Sequence, residues 1–267
     1  MKKIIFLFFP VFILFLFCGP AFSEDQEERL LQNIKITPGF GFEYFNYLIE
    51  WDEEPYIVQD TEDNTTNLKS YLFTLNSEFN LFKKVSLTPY VGYSLSNYDS
   101  LTFRGLPFSV RLDVGFTKGI VLGCEISADA FKMSDFHLGI TGCFSYFIGF
   151  KSQWEIESLT VDGTLEGKPS WLRYKIGPVL TYKGINNLYP FFKVQYHKLW
   201  GKYTIDETIG NLKGNEERSF SGKSAIIPSL GIIYEISDSF NIYAEFNSML
   251  SANHLDYGLH IKFVYAY

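Results

Sequence analysis

Residues 255–267 read LDYGLHIKFVYAY, and as an extended chain they put Leu255, Tyr257, Leu259, Ile261, Phe263, Tyr265 and Tyr267 on one face. Asp256, Gly258, His260, Lys262, Val264 and Ala266 fall on the other. Side chains of a strand alternate between faces at every residue, so this stretch is a strand with one greasy, aromatic face and one polar face. Strict alternation that ends on an aromatic at the last residue is the pattern of a strand with hydrocarbon outside and a polar lumen inside.

The other end of the chain agrees. Lys2 and Lys3 precede an apolar run from Ile4 to Phe17, then Gly19 and Pro20, then the small-residue frame Ala21-Phe22-Ser23. This predicts an export signal, residues 1–23, cleaved after Ser23, with the mature protein at 24–267. The apolar run is short for a membrane helix and no second one follows. Cys18 suggests a lipid anchor, but bulky Phe17 stands where that processing wants a small side chain. Losing Lys2 and Lys3 moves the formal charge from −7 to about −9, and no basic patch suited to nucleic acid remains. With 18 Tyr and 27 Phe the composition fits a soluble or a membrane protein, so pattern has to decide.

Alternation predicts strands near 34–47, 68–80, 85–97, 106–116, 120–131, 136–149, 153–161, 171–182, 189–202, 224–235, 240–250 and 255–267. The connections at 81–84, 117–119, 183–187 and 236–239 are tight, whereas those at 49–67, 162–170 and 203–223 are long and polar. Short turns at one end and long loops at the other predict a single antiparallel up-and-down transmembrane β-barrel of about twelve strands, with ten as the alternative. The long loops are expected outside; the connections at 132–135 and 251–254 are short for that side.

Facing is assigned strand by strand. Phe108, Val110, Leu112, Val114 and Phe116 alternate with Ser109, Arg111, Asp113 and Gly115; Leu122, Cys124, Ile126 and Ala128 alternate with Gly123, Glu125, Ser127 and Asp129. Leu172, Tyr174, Ile176, Leu180 and Tyr182 stand against Arg173, Lys175, Gly177 and Thr181. A soluble sandwich also alternates. Strands of ten residues or more, Tyr and Phe at their ends and the export signal favour the membrane.

Leu87-Thr88-Pro89-Tyr90-Val91-Gly92-Tyr93-Ser94 resembles an upward strand of the small bacterial outer-membrane barrels of the OmpA and OmpX kind and their larger, porin-like relatives. Tyr189-Pro190-Phe191-Phe192-Lys193-Val194 and Ile36-Thr37-Pro38-Gly39-Phe40-Gly41 are similar to it. Phe263, Tyr265 and Tyr267 resemble the signal read by the barrel-assembly machinery. The resemblance is at the level of the superfamily. It implies residence in the cell outer membrane, with the lipid and lipopolysaccharide of that membrane as partners, and says nothing of oligomeric state. Pro178 and Pro228 lie deeper in their strands and predict bends or bulges.

Candidate chemistry is sparse. Cys124 and Cys143, the cysteines left after processing, are expected to stay unbonded, because they fall in opposite phases and a disulfide cannot reach through a sheet. Asp135-Phe136-His137, expected at an outer tip, resembles the Asp-x-His pair at the rim of the omptins, the outer-membrane barrel proteases. That mechanism needs a second aspartate pair opposite to hold the attacking water; Trp51-Asp52 is the nearest counterpart, so a rim histidine with a hydrogen-bonding neighbour is the plainer reading. His254, Asp256 and His260 are too spread along one strand to close on one ion, with His260 roughly 13 Å from Asp256. Glu50, Asp52, Glu53, Glu54, Asp60, Glu62 and Asp63 form an acidic loop. Such a run is a solvated surface first, and a cation bridge to lipopolysaccharide or a screen at a pore mouth second.

The expected lumen carries Glu43, Glu78, Arg111, Asp113, Glu125, Asp129 and Arg173 from the first eight strands. Lys175, Lys193, His197, Glu235, Glu245 and Lys262 complete it. Charges of both signs either pair across a closed barrel or line a water-filled path. The expectation is a non-enzymatic barrel with no cofactor, metal or catalytic residue, either a narrow pore for small hydrophilic solutes or a structural, surface-exposed barrel. The alternative is a barrel enzyme, an omptin-like protease or a lipid hydrolase, for which no convergent nucleophile or base with its orienting partner is evident.

Overall fold

A computed structural model describes residues 36–52, 65–81, 85–98, 101–103, 110–112, 115–155, 163–209, 212–223, 225–251 and 254–265. The predicted signal peptide, the acids from Glu53 to Asp63, Asp113 and Tyr267 lie outside the described residues. The strands are β1 (Ile36–Trp51), β2 (Thr65–Leu81), β3 (Val85–Tyr98), β4 (Leu101–Phe103), β5 (Val110–Leu112), β6 (Phe116–Met133) and β7 (Phe136–Gly149). They continue as β8 (Ser152–Glu155), β9 (Gly163–Tyr182), β10 (Leu188–Ile209), β11 (Leu212–Gly222), β12 (Ala225–Ser237), β13 (Phe240–Ser251) and β14 (His254–Tyr265).

Twelve of these make one sheet, and it closes on itself. Antiparallel pairing runs through β1, β2, β3, β6, β7, β9, β10, β12, β13 and β14, and the ring shuts where β14 pairs with β1 from Gly39↔Val264 to Asn46↔Tyr257. The sheet thus has twelve strands and its ring ten.

Two expected strands are not in that ring. The segment expected at 106–116 yields β5, which pairs with β4 as a separate two-stranded sheet, so Arg111 belongs to that sheet and not to a strand of the ring. Gly115, at φ 59°, breaks the extended chain there, so the ring strand begins at Phe116 and the expected turn at 117–119 lies inside β6. The strand expected at 153–161 is reduced among the described residues to β8, which pairs with β9 alone. Losing the first of these crossings reverses the direction expected for the next two ring strands, β6 and β7, and losing the second restores it from β9 onward. The turn at Ser134 and Asp135 therefore lies with the other tight turns, near Leu81, Lys183 and Asp238, and Asp135-Phe136-His137 is not at the long-loop end.

The expected loop at 203–223 is mostly strand. β10 continues upward beside β9 to Ile209, and β11 returns along it from Ile209↔Leu212 to Trp200↔Ser221. β12 runs on along the same edge of β10, from His197↔Ala225, so β11 and β12 are two halves of one line of chain bent near Lys223. The lower half pairs with β13; the upper half pairs directly with β1, at Ile49↔Gly222, Glu50↔Ser221 and Trp51↔Phe220. The β13–β14 hairpin is a wedge in the lower tier only.

Above that wedge a smaller circuit closes. It runs Trp51↔Phe220, Phe220↔Gly201, Gly201↔Trp171, Trp171↔Phe147, Phe147↔Val121, Val121↔Gly92, Gly92↔Thr74 and Thr74↔Gly41, through β11, β10, β9, β7, β6, β3 and β2 back to β1. A ring of eight strands has an interior just wide enough for side chains to fill. Here Phe45, Tyr47, Tyr98, Phe147, Trp171, Tyr203 and Phe220 fill it, all buried. Trp171 stacks on Phe147 at 5.3 Å and meets Phe45 edge-on at 5.6 Å, while Tyr98 meets Tyr203 and Phe220 at 5.5 and 5.7 Å. The barrel tapers from an open tight-turn end to a plugged loop end.

The outer surface changes character at the same height. Around the ring, Leu75, Val91, Leu122, Ile140, Ile176, Phe192, Ile226, Leu230 and Leu259 point outward and exposed; Leu75, Ile226 and Leu230 are each 65% exposed. A continuous apolar belt on this scale is not a water-facing surface. On β9 and β10 above Leu172 and Trp200 the outward positions become Ser170, Lys168, Glu166, Lys202, Thr204 and Asp206.

Where β1 passes from β14 to β11 its backbone has no strand partner for Leu48 on that edge, although Asn67 of β2 faces it on the other. The Asp256 carboxylate fills that gap, accepting the Leu48 N–H at 2.8 Å. Asp256→Ala, which strands that donor, is expected to destabilise the refolded barrel by about 1–3 kcal/mol in urea unfolding, while Asp206→Ala on the projecting hairpin leaves the midpoint unchanged.

Candidate functional site

Glu43 points into the barrel because its register partners His260 and Leu72 share its face. β9 lies five neighbours away round the ring in either direction, so Arg173 faces Glu43 across the full diameter. The two meet as a fork, Nη1 to Oε1 at 2.8 Å and Nη2 to Oε2 at 2.6 Å. This bidentate geometry is the strongest form of a charge-assisted pair. Arg173 also donates to Ser145 Oγ at 3.1 Å and lies over the Phe45 ring at 4.7 Å, with 1% of its side chain exposed. Lys175 adds a second cation to the same carboxylate, at 3.2 Å from Glu43 Oε1.

Two further ties lie below. Lys262 of β14 reaches Glu125 of β6 at 2.8 Å, with His260 Nε2 4.0 Å from that carboxylate. Lys193 of β10 reaches Glu245 of β13 at 2.7 Å and donates to the Tyr243 hydroxyl at 2.6 Å, and that hydroxyl donates to Glu245. Two of these ion-pair groups cross the lumen, and the third ties β10 to β13 along one wall.

Of the residues assigned to the lumen, Glu43, Glu125, Arg173, Lys175, Lys193, Glu245 and Lys262 come together here. His197 is buried on the same wall against the Tyr47 ring at 4.7 Å. Glu78, Asp129 and Glu235 belong to the lower rim, where Asp129 pairs with Lys132 at 3.3 Å and Glu235 accepts from Tyr189 at 2.7 Å. Arg111 sits in the separate β4–β5 sheet and Asp113 lies outside the described residues. Phe263 and Tyr265 stand on the outer face near the end of β14, Phe263 stacked on Phe240 at 6.3 Å.

The inward aromatics are the residues that sequence reasoning missed. Phe45, Tyr47, Ile49 and Trp51 continue the face of Glu43 upward, so the inward face of β1 turns apolar above Glu43. That switch is visible in the sequence, and it marks where a polar lumen gives way to a packed one.

Below the ties a cavity of about 740 Å³ opens at the tight-turn end. Its wall includes Lys175, Lys193, Lys262, Glu125, Glu245 and Cys143. Cys143, register partner of Glu125, faces inward, with Tyr90 Oη at 3.6 Å; Cys124 falls in the opposite phase, and both are free. His137 is on the cavity rim and Asp135 beside it accepts the Lys183 N–H through its backbone, while Trp51 and Asp52 stand at the other end of the barrel. No group of three His, Cys, Asp or Glu side chains among the described residues is placed to hold a metal ion. In the projecting hairpin, burial and then the neighbouring Glu216 push the Glu207 carboxyl upward from its ordinary value.

No protein-family model matches the chain, and no curated protein matches it. Among solved structures it is similar to the translocator domain of the autotransporter NalP from Neisseria meningitidis, at 13% identity and TM-score 0.47, covering 91% of this chain and 95% of that one. It is also similar to the outer membrane protease OmpT from Escherichia coli, at 11% identity and TM-score 0.45, covering 88% and 96%. The Ail attachment protein of Yersinia pestis is similar at 12% identity and TM-score 0.37, covering 88% and 99%.

Removing one partner of a buried ion pair costs more than removing both, because the survivor is left charged and unsolvated. Glu43→Ala is expected to destabilise the barrel by about 3–5 kcal/mol in urea unfolding, and the triple variant Glu43→Leu, Arg173→Met, Lys175→Met, which leaves no member of the cluster charged, to recover most of that loss.

Proposed function

We propose that this is a closed, non-enzymatic barrel of the bacterial outer membrane, exported by its amino-terminal signal, that holds the β8–β11 sheet and the long loops at the cell surface. The observation that carries the reading is the occupied lumen: three charge ties at mid-height and an aromatic plug above them. A pore needs a continuous wet path, and paired charges under a dry plug work against one. The apolar belt supports insertion in lipid, and the charged outer face of the upper β9 and β10 supports a segment standing in water beyond it. Outer-membrane lipid and lipopolysaccharide are its surroundings on this reading, and the barrel-assembly machinery its route of insertion.

Planar-bilayer recording on refolded protein tests this. Native protein is expected to stay electrically silent at high load, and the triple variant Glu43→Ala, Arg173→Ala, Trp171→Ala to give step-like openings. Steady openings from the native chain would establish the narrow pore instead. Hydrolysis of fluorogenic peptide or phospholipid that disappears in an Asp135→Ala, His137→Ala double variant would establish the barrel as an enzyme instead.

A further inference from the structure

The cavity below the ties is blind at its inner end, and its volume of about 740 Å³ lies within the range of roughly 300–1,000 Å³ usual for small-molecule sites. That closed end is not electrically neutral. Arg173, Lys175, Lys193 and Lys262 are four cations, and they share three carboxylates, Glu43, Glu125 and Glu245. Glu43 is already held in both oxygens by Arg173 when Lys175 reaches it, so Lys175 is the surplus charge, and unlike Arg173 it lines the cavity. A surplus charge at a buried closed end is felt far more strongly than the acids Glu78, Asp129 and Glu235 at the wet rim, where water and salt screen them.

Between apolar side chains such as Val179, Phe191 and Ile233, with His137 and Lys183 also in the lining, the wall carries neutral hydrogen-bonding groups: the hydroxyls of Thr88, Ser127, Thr141 and Thr181 and the amides of Gln195 and Asn241. Asn241 Oδ1 is buried with no hydrogen-bond partner among the described residues. Neutral donors and acceptors spread round a cavity suit a ring of hydroxyls, and a single surplus cation at its closed end suits a single acid.

We infer that the cavity binds a small polyhydroxylated solute bearing one acidic group, of the uronic-acid class, with the acid on Lys175 and the hydroxyls against the Thr, Ser, Gln and Asn side chains. This does not depend on the barrel being closed to ions or on which end faces outward.

The test is titration of the refolded full barrel, in a zwitterionic detergent without a sugar headgroup, with glucuronate, glucose and glucosamine, read by calorimetry and saturation-transfer NMR. Glucuronate is expected to bind about tenfold tighter than glucose, and glucosamine most weakly. Lys175→Met is expected to bring glucuronate down to the level of glucose while glucose binding remains. Equal binding of glucuronate and glucose, a preference that survives Lys175→Met, or no binding of any of the three to the native chain overturns the inference. Should Lys175→Met bind neither sugar, Lys175→Arg decides: a regained glucuronate preference supports the site, and its absence refutes it.

Discussion

A sheet with an open edge leaves a row of N–H and C=O groups unpaired, and only a sheet that closes on itself leaves none. This chain closes twice, with ten strands in the belt and eight above it, and the rest of the structure depends on the change of number. Ten strands enclose more space than side chains fill, so the lower lumen holds charges and an open cavity. Eight do not, so the upper lumen is aromatic and dry. The Asp256 carboxylate stands at the seam and supplies the one acceptor that neither ring offers Leu48.

The ion pairs belong to the wide tier for the same reason. A long cationic side chain on one wall and a carboxylate opposite can meet only if the bore is no wider than their combined reach, and Glu43 with Arg173 shows that it is not. Their burial makes each tie costly to break singly and nearly neutral to replace in pairs, which favours a rigid cross-section over extra stability.

Much of the fold was legible in the sequence. Phe136–Gly149 forms where alternation put it, and the last strand, read as 255–267, is His254–Tyr265 among the described residues. The facing of Cys124 and Cys143 comes from phase alone. Reading failed where phase and structure parted. Residues 108–116 alternate well but are cut off at Gly115, and 203–223 read as loop because their outward side chains are polar, a sign of water outside rather than of irregular chain. The candidate site was legible as a set of inward charges and not as pairs, since Glu43 and Arg173 are 130 residues apart and only ring closure makes them opposite. The surplus cation could not be counted until the pairs were known.

The wedge formed by β13 and β14 has a consequence for how such a protein could diversify. The hairpin tip at Ser251↔His254 lies below the join of β11 to β1, so lengthening both arms by a few residues would prise that join apart and extend the ten-stranded bore to the mouth. The aromatic filling would then be too small for the cylinder around it. A plugged barrel and an open bore are therefore separated by a change in the size of one ribbon, a short insertion rather than a new architecture.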